Sequence, residues 1–175
     1  MKKKIFSLLS ILLIAVFATS PVSAGPGIRL SGVQFSLGSL IAKGYASGLG
    51  KADVKVILEA SGIPVVTCVN QGGNEAPGQN PANVSAAGDQ LLLANDPLRK
   101  NGRSPFLTET IDPETLLWNL AGCPNSNWTG RIDFISWTEA TLYVYDLATG
   151  VLQTSQKYSC VTTRFPAGVS CTPIP

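Results

Sequence analysis

Valine, isoleucine, threonine and aromatic side chains recur at every second position over short stretches of this chain, and that alternation excludes most of what 175 residues could otherwise build. A period of two places successive side chains on opposite faces of a pleated strand, whereas an amphipathic helix needs a period of 3.6. The alternation predicts strands over residues 30–37, 40–46, 53–60, 65–70, 84–93, 104–110, 130–137, 141–147 and 151–162. In the third, Val54, Val56 and Leu58 point one way while Lys55 and Glu59 point the other, so one face packs and one is wet. In the seventh, Ile132 and Phe134 oppose Asp133, and Ile135 and Trp137 share the aspartate's face.

Turn chemistry joins these strands into hairpins. Ala148-Thr149-Gly150 links the last two, Thr138-Glu139 links the two before, and Asn101-Gly102 tolerates the positive φ of a tight turn. One helix is expected: Asp112 can cap it, Pro113 suits its first position, Glu114 complements its dipole and Gly122 can end it, with Leu116, Leu117 and Leu120 on its buried side. The fold class is therefore mainly β, an antiparallel two-sheet β-sandwich with one short helix. An immunoglobulin-like topology fits this pattern, and a small β-barrel is the second choice.

Residues 71–83 have neither period nor bulk: three glycines, three asparagines and two prolines in thirteen residues describe a loop. Long ordered loops in small domains carry binding residues more often than chance connections do. Asn70, Gln71, Asn74, Glu75, Gln79 and Asn80 are its candidate contacts, although the spacing of a calcium-binding loop is absent.

At the N-terminus, Lys2, Lys3 and Lys4 precede an apolar run over residues 5–17, and Val22-Ser23-Ala24 offers a small-residue cleavage pattern. The run is shorter than the ~20 residues of a membrane-spanning helix, so residues 1–24 read as a signal peptide and residues 25–175 as one mature domain with no membrane insertion. The expected localisation is secreted, either extracellular or in the periplasm or cell envelope. Removing those three lysines from thirteen basic residues leaves ten against eleven acidic ones, which turns the formal charge of +2 slightly negative. Arg99-Lys100 with Arg103 is the only remaining cluster in sequence, too sparse to predict nucleic-acid binding.

There is no histidine. Ser-His-Asp and Cys-His nucleophile systems, histidine-ligated zinc and histidine-held haem are therefore excluded, and no cofactor or metal signature is present. A general base near neutral pH would need a strongly shifted carboxylate, lysine or thiol.

Four cysteines in an exported chain invite pairing. Joining Cys68 to Cys123 would tie the strand before the loop to the segment after the helix, and joining Cys160 to Cys171 would close a short C-terminal loop. The chain-entropy model gives these about 4 and about 3 kcal/mol. A second connectivity stays open, because Tyr158-Ser159-Cys160 has the spacing seen in immunoglobulin domains and would pair Cys160 with Cys68. A four-cysteine zinc site is disfavoured by the lack of any C-x-x-C pair. The sequons at Asn83 and Asn127 are read as incidental in a bacterial export route.

Val66-Thr67-Cys68, Gly72-Gly73-Asn74, Ala76-Pro77-Gly78-Gln79-Asn80-Pro81 and Gly122-Cys123-Pro124-Asn125-Ser126-Asn127-Trp128 together resemble a family of small exported bacterial proteins. Its members pair a G-G-N-x-A-P-G-Q-N-P loop with a later G-C-P-N-x-N-W segment. The resemblance covers residues 48–145, implies an export context, supports the Cys68 to Cys123 pairing and implies no substrate.

Three functions follow. The first is a non-catalytic binding, adhesion or structural module of the extracellular space or envelope, with a cell-surface protein or polysaccharide as candidate partner. The second is a carbohydrate-binding module using Trp118, Trp128 and Trp137, with Tyr143 and Tyr145, as stacking surfaces. The third is a glycoside hydrolase drawing a carboxylate pair from Asp112, Glu114, Asp133, Glu139 and Asp146. The first is preferred.

Overall fold

In the computed structural model, which describes residues 27–175, the alternating segments become ten strands and one helical turn. The signal peptide and the mature start at Gly25 lie outside the described residues. The elements are β1 (Arg29–Ser36), β2 (Ile41–Ser47), β3 (Val54–Asn70), β4 (Glu75–Pro77), β5 (Val84–Leu92), β6 (Ser104–Glu109), β7 (Thr115–Leu117), α1 (Trp118–Ala121), β8 (Trp128–Asp146), β9 (Leu152–Arg164) and β10 (Ala167–Ile174). They form two antiparallel sheets packed as a sandwich. One has the order β1-β2-β6, and the other runs β10-β9-β8-β3 with β4 and β5 on the far side of β3 and β7 beside β8. The sheets do not close into a barrel: outside the named strands, Ala87↔Ile111 is a single bridge between β5 and the end of the β6 segment.

The centre is the β3·β8 pair, aligned from Val54↔Asp146 to Asn70↔Trp128. Along its first half β5 and β9 flank the pair, and along its second half β4 and β7 do. Val54, Val56 and Leu58 of β3 with Leu142 and Val144 of β8 are fully buried against Ala42, Ala46 and Phe106 of the smaller sheet. Phe35 meets Tyr158 edge to face at 4.9 Å, which seats β1 over β9. Burial pushes the Tyr158 phenol up to about 12.

Four expectations need correction. Residues 53–60 and 65–70 belong to one strand, as do 130–137 and 141–147, so no hairpin exists at Thr138-Glu139. For β8 the cause is a pair of β-bulges, whereas β3 alternates without a break through Ser61–Pro64. Its pairing to β3 steps past Thr138 and past Asp133, and each extra residue inverts the alternation. Ile132, Ile135, Trp137, Ala140 and Leu142 consequently share the inward face, while Phe134 turns outward beneath the Arg164 guanidinium at 5.1 Å. Hydroxyls repair the backbone there: Thr138 donates to the Ser61 carbonyl and Thr162 to that of Trp137.

The expected helix from Asp112 is mostly extended. β7 pairs with Thr129–Arg131, Ile132 N–H donates to the Glu114 carbonyl, and only Trp118–Ala121 is helical before Gly122 ends it in the left-handed region. Leu117 and Leu120 are exposed rather than buried. Three strands, β4, β7 and β10, carry no strong alternation and were not expected. The three-strand closing meander is therefore β8-β9-β10, with the turn at Ala148-Thr149-Gly150 inside it. The tight turn at Asn101-Gly102 is present, both residues having positive φ.

β5 approaches the smaller sheet through Gly88, where a Cβ would fall on the Glu109 carbonyl oxygen. Backbone cannot yield there as a side-chain tip could. Gly88→Ala is expected to cost about 1–3 kcal/mol through overpacking, and urea denaturation should show a lowered midpoint that Ala87→Ser does not share.

Candidate functional site

Beyond residue 65 the β3·β8 pair leaves the shared core, so its two faces must be covered locally. Val66 and Cys68 alternate to one side and bury against Ala121 and Cys123, with Ala76, Leu116, Trp128 and Ile132 around them. The Cys68–Cys123 disulfide crosses this small cluster, and Cys160–Cys171 joins β9 to β10. Cys68 and Cys160 are therefore not partners, which removes the immunoglobulin-type bridge.

The cluster brings the two resemblance segments face to face. Gly78 N–H donates to the Val66 carbonyl at 2.9 Å, Gln79 N–H to that of Gly122 at 3.0 Å, and Ala82 N–H to that of Leu120 at 2.7 Å. Gly122 has φ +68°, and a Cβ on it would fall on the Gln79 backbone. The start of the loop is fixed by Asn70: its side-chain oxygen accepts from the backbone of Gly72 and Asn74, both at 2.9 Å, while its own N–H donates to the Asn74 carbonyl. Asn125 Oδ1 accepts from Asn127 N–H in the facing segment. This loop is built, not slack.

The six loop candidates consequently divide by role. Asn70 is half-buried and its oxygen is used internally, with Asn74 donating to it at 3.3 Å. Glu75 accepts from Arg131 Nη1 at 3.1 Å. Gln71, Gln79 and Asn80 are exposed, and among the described residues their side chains make no hydrogen bond.

Sequence reading missed Arg131 and Thr67. Arg131 Nε bonds Asp133 Oδ1 at 3.1 Å, and the Thr67 hydroxyl donates to Asp133 Oδ2 at 2.6 Å. Glu75, Arg131, Asp133 and Thr67 thus form one chain of contacts across β4, β8 and β3. The Thr67 hydroxyl first, and Arg131 after it, hold the Asp133 carboxyl below the usual carboxylate range. Strand pairing supplied the only signal for this, since Thr67 and Arg131 are register partners and the bulge at Asp133 turns its side chain toward both.

The tryptophans do not form one platform. Trp137 is 1% exposed in the main core, Trp128 is half-buried in the small cluster, and Trp118 is 39% exposed beside Leu117 and Leu120. Tyr143 and Tyr145 lie half-buried on a strand of the larger sheet, their ring centroids 6.2 Å apart.

Three of the five carboxylates, Asp112, Glu114 and Asp133, line one cavity of ≈ 440 Å³ together with Arg131. Glu139 pairs with Lys157 at 3.0 Å, and Asp146 caps its turn by accepting from Thr149 N–H at 2.8 Å. Burial raises the Asp112 carboxyl above its ordinary value against the Thr110 hydroxyl bond that lowers it, and Glu109 adds to the rise. Opposed shifts on two carboxylates are what acid and base assignments require. Here each Asp133 oxygen already accepts one hydrogen bond, from Arg131 and from Thr67. Among the described residues, no group of three or more histidine, cysteine or acidic side chains could hold a metal ion, and no helix is long and apolar enough to cross a membrane.

Comparison with family models, with curated proteins and with solved structures returned no match.

A raised carboxyl pKa means that folding favours the protonated form. That contribution is complete below the unfolded value near 3.8 and is lost as pH rises through the folded value. Asp112→Asn, which stays neutral and keeps an acceptor for Thr110, is expected to raise the urea midpoint at pH 7 relative to the wild-type chain. At a pH well below 3.8 the difference should vanish.

Proposed function

We propose that the chain is a secreted, non-catalytic binding module of the extracellular space or cell envelope, and that its disulfide-tied end presents the recognition surface. One observation carries this reading: two separate segments are clamped by a covalent bond and two backbone hydrogen bonds, while Gln71, Gln79 and Asn80 project unpaired into solvent. A loop held in one conformation loses little freedom on binding, so its exposed amides can spend their hydrogen bonds on a partner. Amides donate and accept without charge, which suits a cell-surface protein or polysaccharide.

Export is supported by the basic and apolar N-terminal pattern with its small-residue cleavage site and by the pairing of all four cysteines. The non-catalytic reading is supported by the absence of histidine and by the engagement of Asp133, Glu139 and Asp146 in ion pairs or a turn.

The mature chain, residues 25–175, is expected to cosediment with bacterial cell-envelope material. Replacing Gln71 and Gln79 by alanine and Asn80 by glycine, which keeps its positive φ, should weaken that binding on the order of a hundredfold, at about 1 kcal/mol per lost hydrogen-bonding side chain, with a nearly unchanged unfolding midpoint. Undiminished binding by the triple variant would remove the loop from the recognition surface, and release of soluble sugar from the envelope by the wild-type chain would contradict a non-catalytic role.

A further inference from the structure

The ten cationic side chains outside the signal peptide fall into two sets. On the larger sheet Lys55 pairs with Asp89 at 3.3 Å, Arg131 with Glu75 and Asp133 at 3.1 Å, and Lys157 with Glu139 at 3.0 Å. Arg164 there lies over the Phe134 ring. The other six, Arg29, Lys43, Lys51, Arg99, Lys100 and Arg103, sit on the smaller sheet or on the β2–β3 and β5–β6 connections, and among the described residues none makes an ion pair. Outside the signal peptide, where ten cations face eleven acidic residues, six of the seven cations without an ion pair among the described residues thus lie on one side.

The two connections are fastened to each other. Leu49 N–H donates to the Gly102 carbonyl at 3.0 Å, and the Arg99 guanidinium donates to the carbonyls of Ala52 at 2.8 Å and Gly50 at 3.0 Å. Lys100 and Arg103 are bridged across the tight turn at Asn101-Gly102, so their side chains stand together. Arg103 places its guanidinium 4.0 Å from the centroid of the Tyr45 ring, which is 42% exposed.

On the outer surface of the smaller sheet that ring borders a cavity of ≈ 530 Å³ whose lining includes Gln34, Lys43, Gln90, Asp96 and Leu107. A smaller depression of ≈ 210 Å³ on the same ring is lined by Lys100 and Arg103 with Leu98 and Pro105. The polar groups are fixed in place: Gln90 Oε1 accepts from Leu107 N–H at 2.7 Å, leaving its amide hydrogens to donate, and Asp96 Oδ1 accepts from Leu98 N–H at 2.8 Å.

We infer that this surface is a binding site for an anionic polysaccharide, with a sugar ring stacked on Tyr45 and the polymer's acidic groups held by Lys43, Lys100 and Arg103. An aromatic face supplies contact area to the C–H side of a sugar, and unpaired cations supply charge complementarity to a carboxylate or phosphate. Amide hydrogens of Gln90 and the free oxygen of Asp96 match hydroxyls, which both donate and accept. Asp96 also favours a polysaccharide over a nucleic-acid strand, because sugar rings present several hydroxyl donors to its free oxygen and a nucleic-acid backbone few. The site shares no residue with the disulfide-tied end and stands or falls independently of it.

The acidic group of the polymer is either a uronate carboxylate or a phosphodiester, and titration calorimetry separates them. The mature chain is titrated with polygalacturonate, with a phosphodiester-bearing phosphomannan, with neutral dextran and with a single-stranded oligonucleotide, each at low and at physiological ionic strength. One or both anionic polymers of the first two arms should bind, more tightly at low salt, and dextran should not. Tyr45→Ala, and separately Lys100→Gln with Arg103→Gln, should each weaken binding about tenfold or more, while Lys157→Gln leaves it unchanged. The inference is overturned if neither anionic polymer binds, if dextran or the oligonucleotide binds as tightly, or if the Tyr45 and Lys100/Arg103 variants bind like the wild-type chain.

Discussion

Everything else in this molecule is hung on the continuous antiparallel pairing of β3 with β8. A two-stranded ribbon is marginal in water by itself, and it persists only where further strands or a packed layer cover it. Its first half meets that condition conventionally, with β5 and β9 at its flanks and the smaller sheet over its inner face. Its second half runs past the smaller sheet and has only the short strands β4 and β7 beside it. There the apolar positions shrink to Val66 and Cys68, and the disulfide to Cys123 compensates for a core too small to hold its own cover. The fixed course of the loop follows from that shortage, because a disulfide and backbone hydrogen bonds hold there what a core holds elsewhere.

Where local pattern and tertiary pairing agree, the sequence was readable. The first half of β3 alternates strictly and forms a strand with the expected inward face. The strand over Ser104–Glu109 and the turn at Asn101-Gly102 were equally plain, and the cysteine pairing could be preferred from counting and resemblance together. β8 defeated the same method because an inserted residue looks like a change of face: Asp133 and Thr138 each shift the period by one, and a long strand then reads as two. A bulge is a property of two strands, so one strand's sequence cannot display it.

The region from Asp112 to Gly122 failed for a different reason. Asp112, Pro113 and Glu114 are valid helix-start residues, but propensity is a weak prior that pairing overrides. The Asp112 carboxylate accepts from Thr110, the Glu114 carbonyl accepts from Ile132, and Thr115–Leu117 is taken into the sheet. Composition marked the loop without distinguishing the asparagine that builds it from the glutamines that face outward. Charge was legible only as a total. That three of the four cations of the larger sheet are spent on ion pairs, and those around Tyr45 are not, depends on contacts between residues far apart in the chain.

Several backbone crossings admit nothing larger than hydrogen. A Cβ on Gly62 would lie 2.6 Å from the Ser136 carbonyl oxygen, and on Gly78 2.5 Å from that of Ala121. Gly88 and Gly122 meet the backbones of Glu109 and Gln79 in the same manner, and a Cβ on Gly130 would fall on the Ala121 methyl. Apolar core positions exchange readily when volume is kept, so they drift and erase kinship. Contacts made by the backbone itself have no such freedom. The glycines beside Cys68 and Cys123 are accordingly the positions at which this fold admits the least change, whatever side chains fill the core between them.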